Sequence, residues 1–526
     1  MANATTASPA MANPAAMQFT MKRLAAFIIM VFGMFIAILD IQIVSASLLE
    51  IQAGLSASWS EVSWVQTAYL IAEVIAIPLS GFLSRALGTR YLFAISAAGF
   101  TVSSLLCGFA SSIEEMIVWR ALQGFLGAGM IPTVFATAYS VFPRSKLHIV
   151  GPIIGLVATL APTVGPTVGG YITDAMSWHW LFFVNIVPGI AITLGVLALV
   201  DFDEPHFELL DRFDWWGLLF MAGFLGSLEY VLEEGPQYEW MQDTSVAIFA
   251  WVCGISAIAF FWRVLTAEEP IVDIRAFLDR NFGVGSVLQF CIGIGLYGLT
   301  YIYPRYLAEV RGYSALMIGE TMFVSGITMF LVAPLVGRLM LVFDMRYMIA
   351  FGLVVFALGS YEMTWITREF DFDEIFLPQI LRGIGMMFAM VPTNNVALGT
   401  LPLNMVKNAS GLFNLMRNLG GAVGLAVINT VLNDRTDLHI VRLQERVTWG
   451  NATATETLNM LTQKFQGMGD QALMALKLLS QLVHRQAVVM GYGDAFFVLA
   501  VFYLSLTLLV TLLKKPAGGP LGEPAH

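Results

Sequence analysis

Apolar residues run along this chain in blocks of about twenty, each closed by a short polar stretch. A bilayer core takes about twenty apolar residues per helix, and that length marks fourteen segments: 24–44, 62–83, 91–109, 116–138, 149–172, 180–200, 215–232, 246–265, 282–303, 317–339, 347–366, 375–398, 409–432 and 495–513. An even number of crossings returns both ends of the chain to one side. The side follows from the basic residues, because short loops kept in the cytoplasm retain an excess of Lys and Arg. One set of loops holds Lys22, Arg23, Arg85, Arg90, Arg144, Lys146, Lys407, Lys514 and Lys515 among others, whereas the opposite short loops hold Arg305, Arg311 and Arg368 together with acids such as Glu50 and Glu114. Both termini are therefore expected in the cytoplasm. The long loop 433–494 is expected outside, and its stretch 455–489, with apolar and polar residues at helical spacing, is expected to form an external helical pair.

Composition agrees with an all-α polytopic membrane protein: of 526 residues 57% are hydrophobic and 12% charged, where an ordinary soluble domain carries about a quarter charged residues. The net charge of −10 comes without any basic cluster, which removes nucleic acid as a partner. Cys107, Cys253 and Cys291 lie far apart in apolar stretches and read as packing residues. The six histidines are dispersed and offer no ligand spacing, so no metal site is expected and a membrane enzyme finds no support. Residues 1–23 read as a disordered cytoplasmic tail, and the segment after it is too long for a signal-peptide core, so it is expected to stay as an uncleaved first helix.

A weak internal repeat divides the chain. Arg120-Ala-Leu-Gln123-Gly124 precedes Pro132-Thr133 in the fourth segment, and Gln379-Ile-Leu-Arg382-Gly383 precedes Pro392-Thr393 in the twelfth. That offset fits two six-helix halves, 24–200 and 282–513, flanking two inserted helices in 201–281, with a cytoplasmic tail at 514–526. Secondary transporters are often built this way, with the site at mid-membrane between the halves.

An ionisable side chain at the bilayer centre costs about 2.5 to 3.5 kcal/mol, so each one here needs a partner, a cavity or a function. Asp40, Glu73 and Arg120 are the candidates in the first half. Gln66, Tyr69 and Glu73 recur at three and four residues and share one face of the second helix. In the second half Ser410, Asn414, Arg417, Gly421 and Gly424 form another such face, and Gly420 with Gly424 permits close helix approach. The fifth segment carries Gly165-Pro166-Thr-Val-Gly169-Gly170, a helix able to bend and pack tightly. Glu229, Glu320 and Glu362 also lie in or near segments and are not ranked by sequence alone.

Together these features resemble the major facilitator superfamily, and the count of fourteen resembles its drug:proton antiporter branch of the EmrB/QacA type. The run Gly81-Phe-Leu-Ser84-Arg85-Ala-Leu-Gly88-Thr-Arg90 is similar to the superfamily's loop between helices two and three, with Ser84 where many members place an aspartate. Arg120 resembles the fourth-helix residue linked to proton transfer, and Gly165-Pro166 with Gly169-Gly170 resembles the fifth-helix antiporter motif. Asp40-Ile-Gln42 resembles the first-helix motif of the branch, and 409–424 its thirteenth-helix pattern. The resemblance implies proton-coupled export of hydrophobic or amphipathic small molecules across the bacterial inner membrane. Asp40, Glu73 and Arg120 would couple the proton. Gln42, Gln66, Tyr69, Asn394, Asn395, Asn414 and Arg417 would line the cavity, and Gly81, Arg85, Gly88, Arg90, Gly165, Pro166, Gly169 and Gly170 would gate. It also implies a periplasmic membrane-fusion adaptor leading to an outer-membrane channel, with no cofactor beyond the proton gradient. The same fold exporting one defined metabolite, siderophore or organic acid is the alternative; a non-transporting sensor or a membrane enzyme is more remote.

Overall fold

A computed structural model of the chain describes residues 20–267, 270–465 and 470–515. The tail at 1–19 and the residues from 516 onward lie outside that set. Among the described residues fourteen helices are long and apolar enough to cross a membrane, as the hydrophobic pattern predicts. We number them α1 (Met21–Ser45), α2 (Glu61–Ala86), α3 (Gly88–Gly108), α4 (Ile113–Val141), α5 (Leu147–Ala175), α6 (Trp180–Leu199), α7 (Trp215–Glu234), α8 (Thr244–Thr266), α9 (Arg280–Arg311), α10 (Leu316–Leu339), α11 (Met345–Trp365), α12 (Phe372–Leu398), α13 (Leu403–Gln444) and α14 (Gln471–Val510).

The helix starts follow local chemistry. The Thr20 hydroxyl accepts from the Arg23 amide (3.3 Å), so the first helix begins inside the segment read as tail. Ser58 and Glu61 form a reciprocal capping box before α2, and Asp371 with Glu374 does the same before α12. Between α2 and α3 the chain turns at Gly88 with φ +73°, a left-handed backbone that glycine adopts at little cost.

The loop 433–494 differs from expectation. The thirteenth and fourteenth helices run on without a break, to Gln444 and back from Gln471, and among the described residues only the short helix Ala452–Lys464 stands between them. Backbone hydrogen bonding continues where the composition turns polar, so the helical pair is that short helix and the first turns of α14.

α1 to α6 and α9 to α14 form two bundles, which meet along two seams: α2 against α13 and α5 against α10. Glycines hold the seams close. A Cβ on Gly81 would stand 3.0 Å from the Asn408 Cα, and one on Gly337 would stand 2.3 Å from the His148 carbonyl. Both contacts lie toward the face that carries the two ends of the described chain, so the halves are pressed together there. The inserted α7 packs against α2 and α13 beside one seam, while α8 touches mainly α7. Trp251, Ile255, Ile258 and Leu265 of α8 stay exposed, an outward face suited to lipid.

Candidate functional site

The strongest polar constellation centres on Asp40, a carboxylate with no exposure in the C-terminal part of α1. Its Oδ2 lies 2.7 Å from Arg120 Nη1 on α4, and both side chains are fully buried. Its Oδ1 accepts from Asn185 Nδ2 at 2.6 Å and from Gln123 Nε2 at 3.3 Å. Arg120 also donates from Nη1 to Gln123 Oε1 (2.7 Å) and from Nε to the Val65 carbonyl (3.2 Å). Its guanidinium lies 4.2 Å from the centre of the Tyr69 ring, within cation–π range. Four helices of one half, α1, α2, α4 and α6, thus surround a buried carboxylate and cation that face each other, with Arg120 Nη2 left unbonded. Such a pair can exchange a proton for a change of partner, since protonating Asp40 removes the charge that Arg120 is paired with.

The predicted stripe on α2 is formed. Gln66, Tyr69 and Glu73 are buried together, with the Gln66 Oε1 unbonded. Glu73 makes no hydrogen bond or ion pair with a described residue, but the charges of Arg417 and Arg120 act on it. Arg417 belongs to the other half, so Glu73 faces across the divide. On α13 Asn414 bonds its own helix through the Ser410 carbonyl (2.9 Å) and leaves Oδ1 free. Asn394 is buried with neither amide atom bonded. Two of the predicted cavity residues sit in close helix contacts: Gln42 of α1 meets Gly165 of α5, and Asn395 of α12 lies against Gly151 of α5 and bonds the Val391 carbonyl at 2.9 Å.

The repeat in sequence becomes a comparison of chemistry. Arg382 is as deeply buried as Arg120, and it donates to Thr300 Oγ1 (2.8 Å) and Gln379 Oε1 (3.4 Å). No carboxylate reaches it among the described residues. The acid–base pair is thus confined to the first half.

The loop after α2 is pinned from an unexpected direction. Asp203, beyond α6, accepts from the Thr89 amide (3.0 Å) and hydroxyl (3.0 Å). The same carboxylate bonds Lys407 at the start of α13, and Lys407 also donates to the Ser84 carbonyl at 3.0 Å. Arg90 donates to the Leu197 carbonyl and Arg85 stacks over Phe82. On α5 the motif glycines face α1: a Cβ on Gly169 would come 2.8 Å from the Ile43 carbonyl. Pro166 lies within α5 and Gly170 is buried there.

Sequence reasoning missed Asn185, Asp203 and Tyr297, and left Glu229 unranked. Glu229 on α7 is buried with Oε2 unbonded and feels the charge of Glu73, whereas Glu320 and Glu362 are exposed. Burial separates them, and no pattern along the chain reports it. At the face opposite the ends of the described chain a cavity of about 610 Å³ opens among Trp240, Arg305, Glu309, Asp434, Asp437 and Tyr492, and Asp40 is not in its lining.

Among the described residues no cluster of His, Cys, Asp and Glu is placed to hold a metal ion. The sequence pattern of the Major Facilitator Superfamily matches residues 30–425. The chain is 42% identical over 492 residues to the colistin resistance protein EmrB of Acinetobacter baumannii, covering 93% of this chain and 96% of that one. It is 30% identical over 502 residues to the multidrug export protein EmrB of Escherichia coli, covering 94% and 96%. With the fatty acid resistance protein FarB of Neisseria gonorrhoeae it shares 29% over 491 residues, 92% and 94% of the two chains. Among solved structures, the human organic anion transporter MFSD10 (TETRAN) superposes with a TM-score of 0.57 at 13% identity, over 91% of this chain and 99% of that one. The proton:xylose symporter XylE gives 0.55 at 13%, over 95% and 98%. Two bundles meeting on two seams, a buried charge pair in one of them and this degree of likeness leave one conclusion: the chain belongs to the Major Facilitator Superfamily, as a multi-pass membrane transporter of the fourteen-span, EmrB-like branch.

Proposed function

We propose that this transporter exports hydrophobic or amphipathic small molecules by proton antiport, alternating access between its two halves. The observation that carries the reading is the buried Asp40–Arg120 pair, bonded at 2.7 Å and held by Asn185 and Gln123. A carboxylate that loses its partner on taking up a proton is a plain device for linking protonation to helix rearrangement. Glu73, facing Arg417 across the divide, is the second coupling group. A proton moving down about 150 mV releases roughly 3.5 kcal/mol, enough for a gradient of a few hundred-fold.

The relatives named for colistin, multidrug and fatty acid resistance support export and a broad range of substrates. By the same likeness we assign the chain to the bacterial inner membrane, termini in the cytoplasm, as the permease of a tripartite pump. The segment 433–494 would meet the periplasmic adaptor. Purified protein in liposomes tests the core of this: efflux of a hydrophobic cationic dye and of an anionic uncoupler, with and without an imposed pH gradient. Movement of either that depends on the gradient supports antiport; movement indifferent to the gradient refutes it.

A further inference from the structure

Three arginines are among the largest fully buried side chains of the molecule: Arg120, Arg382 and Arg417. Two of them are bonded. Arg120 has Asp40, Gln123 and the Val65 carbonyl, and Arg382 has Thr300 and Gln379. Arg417 is different: it is 1% exposed, and among the described residues no hydrogen bond of ordinary geometry reaches its Nε, Nη1 or Nη2, the Tyr297 hydroxyl being the neighbour that comes nearest to one. An uncompensated charge out of water costs several kcal/mol, and a guanidinium cannot relieve that cost by giving up its proton.

Its surroundings show what it awaits. The guanidinium lies 5.7 Å from the centre of the Phe135 ring on α4, so it points out of its own half and across the divide. The Tyr297 hydroxyl, which donates to Asn418 (3.4 Å), and the Glu73 carboxyl lie within electrostatic reach. Glu73 can shed its charge by taking up a proton and Arg417 cannot, so the permanent charge here is positive. A fork of free N–H donors against an aromatic ring suits a flat or trigonal anion with an apolar tail.

We infer that Arg417 is an anion-recognising subsite of the transport cavity, taking the carboxylate or sulfonate head of an amphipathic organic acid while the tail lies against Phe135. The inference rests on the reading of the chain as an exporter of amphipathic molecules, and names the head group that reading leaves open.

Binding to the full chain in phosphatidylcholine nanodiscs tests it, with three probes of one tail length measured by calorimetry: decanesulfonate, decanol and decyltrimethylammonium. The wild type is expected to bind the sulfonate about tenfold or more tighter than the alcohol. Arg417→Gln should bring the two within about twofold, and Arg417→Lys should keep part of the preference as a single point charge. Equal binding of sulfonate and alcohol by the wild type overturns the inference without any variant. So does preference for the ammonium, or an Arg417→Gln protein that weakens all three probes alike. Adding phosphatidylglycerol separates the sources of the anion: competition with the sulfonate assigns the same site to a lipid head group, and its absence assigns it to free amphiphiles. Sulfonate binding with no gradient-driven flux would sink the antiport reading and leave the subsite standing.

Discussion

Lys407, at the start of the second half's α13, bonds the carboxylate of Asp203, which lies beyond the last helix of the first half and also accepts from the Thr89 amide. One acid therefore ties the loop between α2 and α3 to the opposite half, at the face where Gly81 and Gly337 already bring the bundles together. Ser84 leaves the usual acidic position of this loop without a charge, and Asp203 supplies one from 119 residues further on. Both partners are about one-fifth exposed, at 20% and 22%, so the ion pair is worth about 1 kcal/mol or less. Asp203→Asn is expected to open this face up to about fivefold more often. The check is the maleimide labelling rate of Asn394→Cys, applied from that face, in a protein lacking its three native cysteines; an unchanged rate would deny the latch.

Asp40→Asn leaves Arg120 buried and uncompensated, a change that costs roughly 3 to 5 kcal/mol. Gradient-driven export should vanish, and the thermal midpoint should fall. Asn185→Ala removes one hydrogen bond to a charged group, worth about 1.5 to 3 kcal/mol, and keeps the ion pair. It is expected to slow export and not abolish it. If Asp40→Asn exports normally at normal protein levels, Asp40 is not the coupling group.

Of the three acids left unranked by sequence, Glu229 alone is buried, and from the inserted helix α7 it lies within electrostatic reach of Glu73. Glu229→Gln should reduce gradient-driven export by about tenfold or more, while Glu320→Gln and Glu362→Gln stay within about twofold of wild type. Equal effects in all three variants would show that burial does not single out Glu229.

These contrasts mark how far the chain could be read from sequence. The fourteen crossings were legible because each is a long apolar block, and α2's polar stripe was legible because three polar residues recur at helical spacing. Asn185 was not: a neutral amide near a helix start carries no signal until Asp40, 145 residues earlier, is brought within 2.6 Å. Asp203 escaped for the same reason, since its partners lie 114 and 204 residues away along the chain. The length of α13 and α14 escaped because hydropathy reports where lipid ends and is blind to where hydrogen bonding ends.

The glycines allow a sharper test, because sequence treats them alike and the packing does not. Gly124 on α4 sits where an added Cβ would stand 2.3 Å from the Tyr69 carbonyl of α2, and backbone cannot step aside as a flexible side chain can. The same contact sets the distance at which Arg120, one turn away, meets the Tyr69 ring. Gly124→Ala is therefore expected to lose about 1 to 3 kcal/mol of stability by overpacking, and to lose export with it as the Asp40–Arg120 geometry shifts. Gly254 on α8 has nothing within 4 Å of its added Cβ. There alanine removes only the helix penalty of glycine, so Gly254→Ala should be neutral or gain about 0.5 to 1 kcal/mol. Unfolding of the two variants in one detergent decides between them, since a uniform glycine effect would move both midpoints the same way, whereas close helix packing at Gly124 moves them apart.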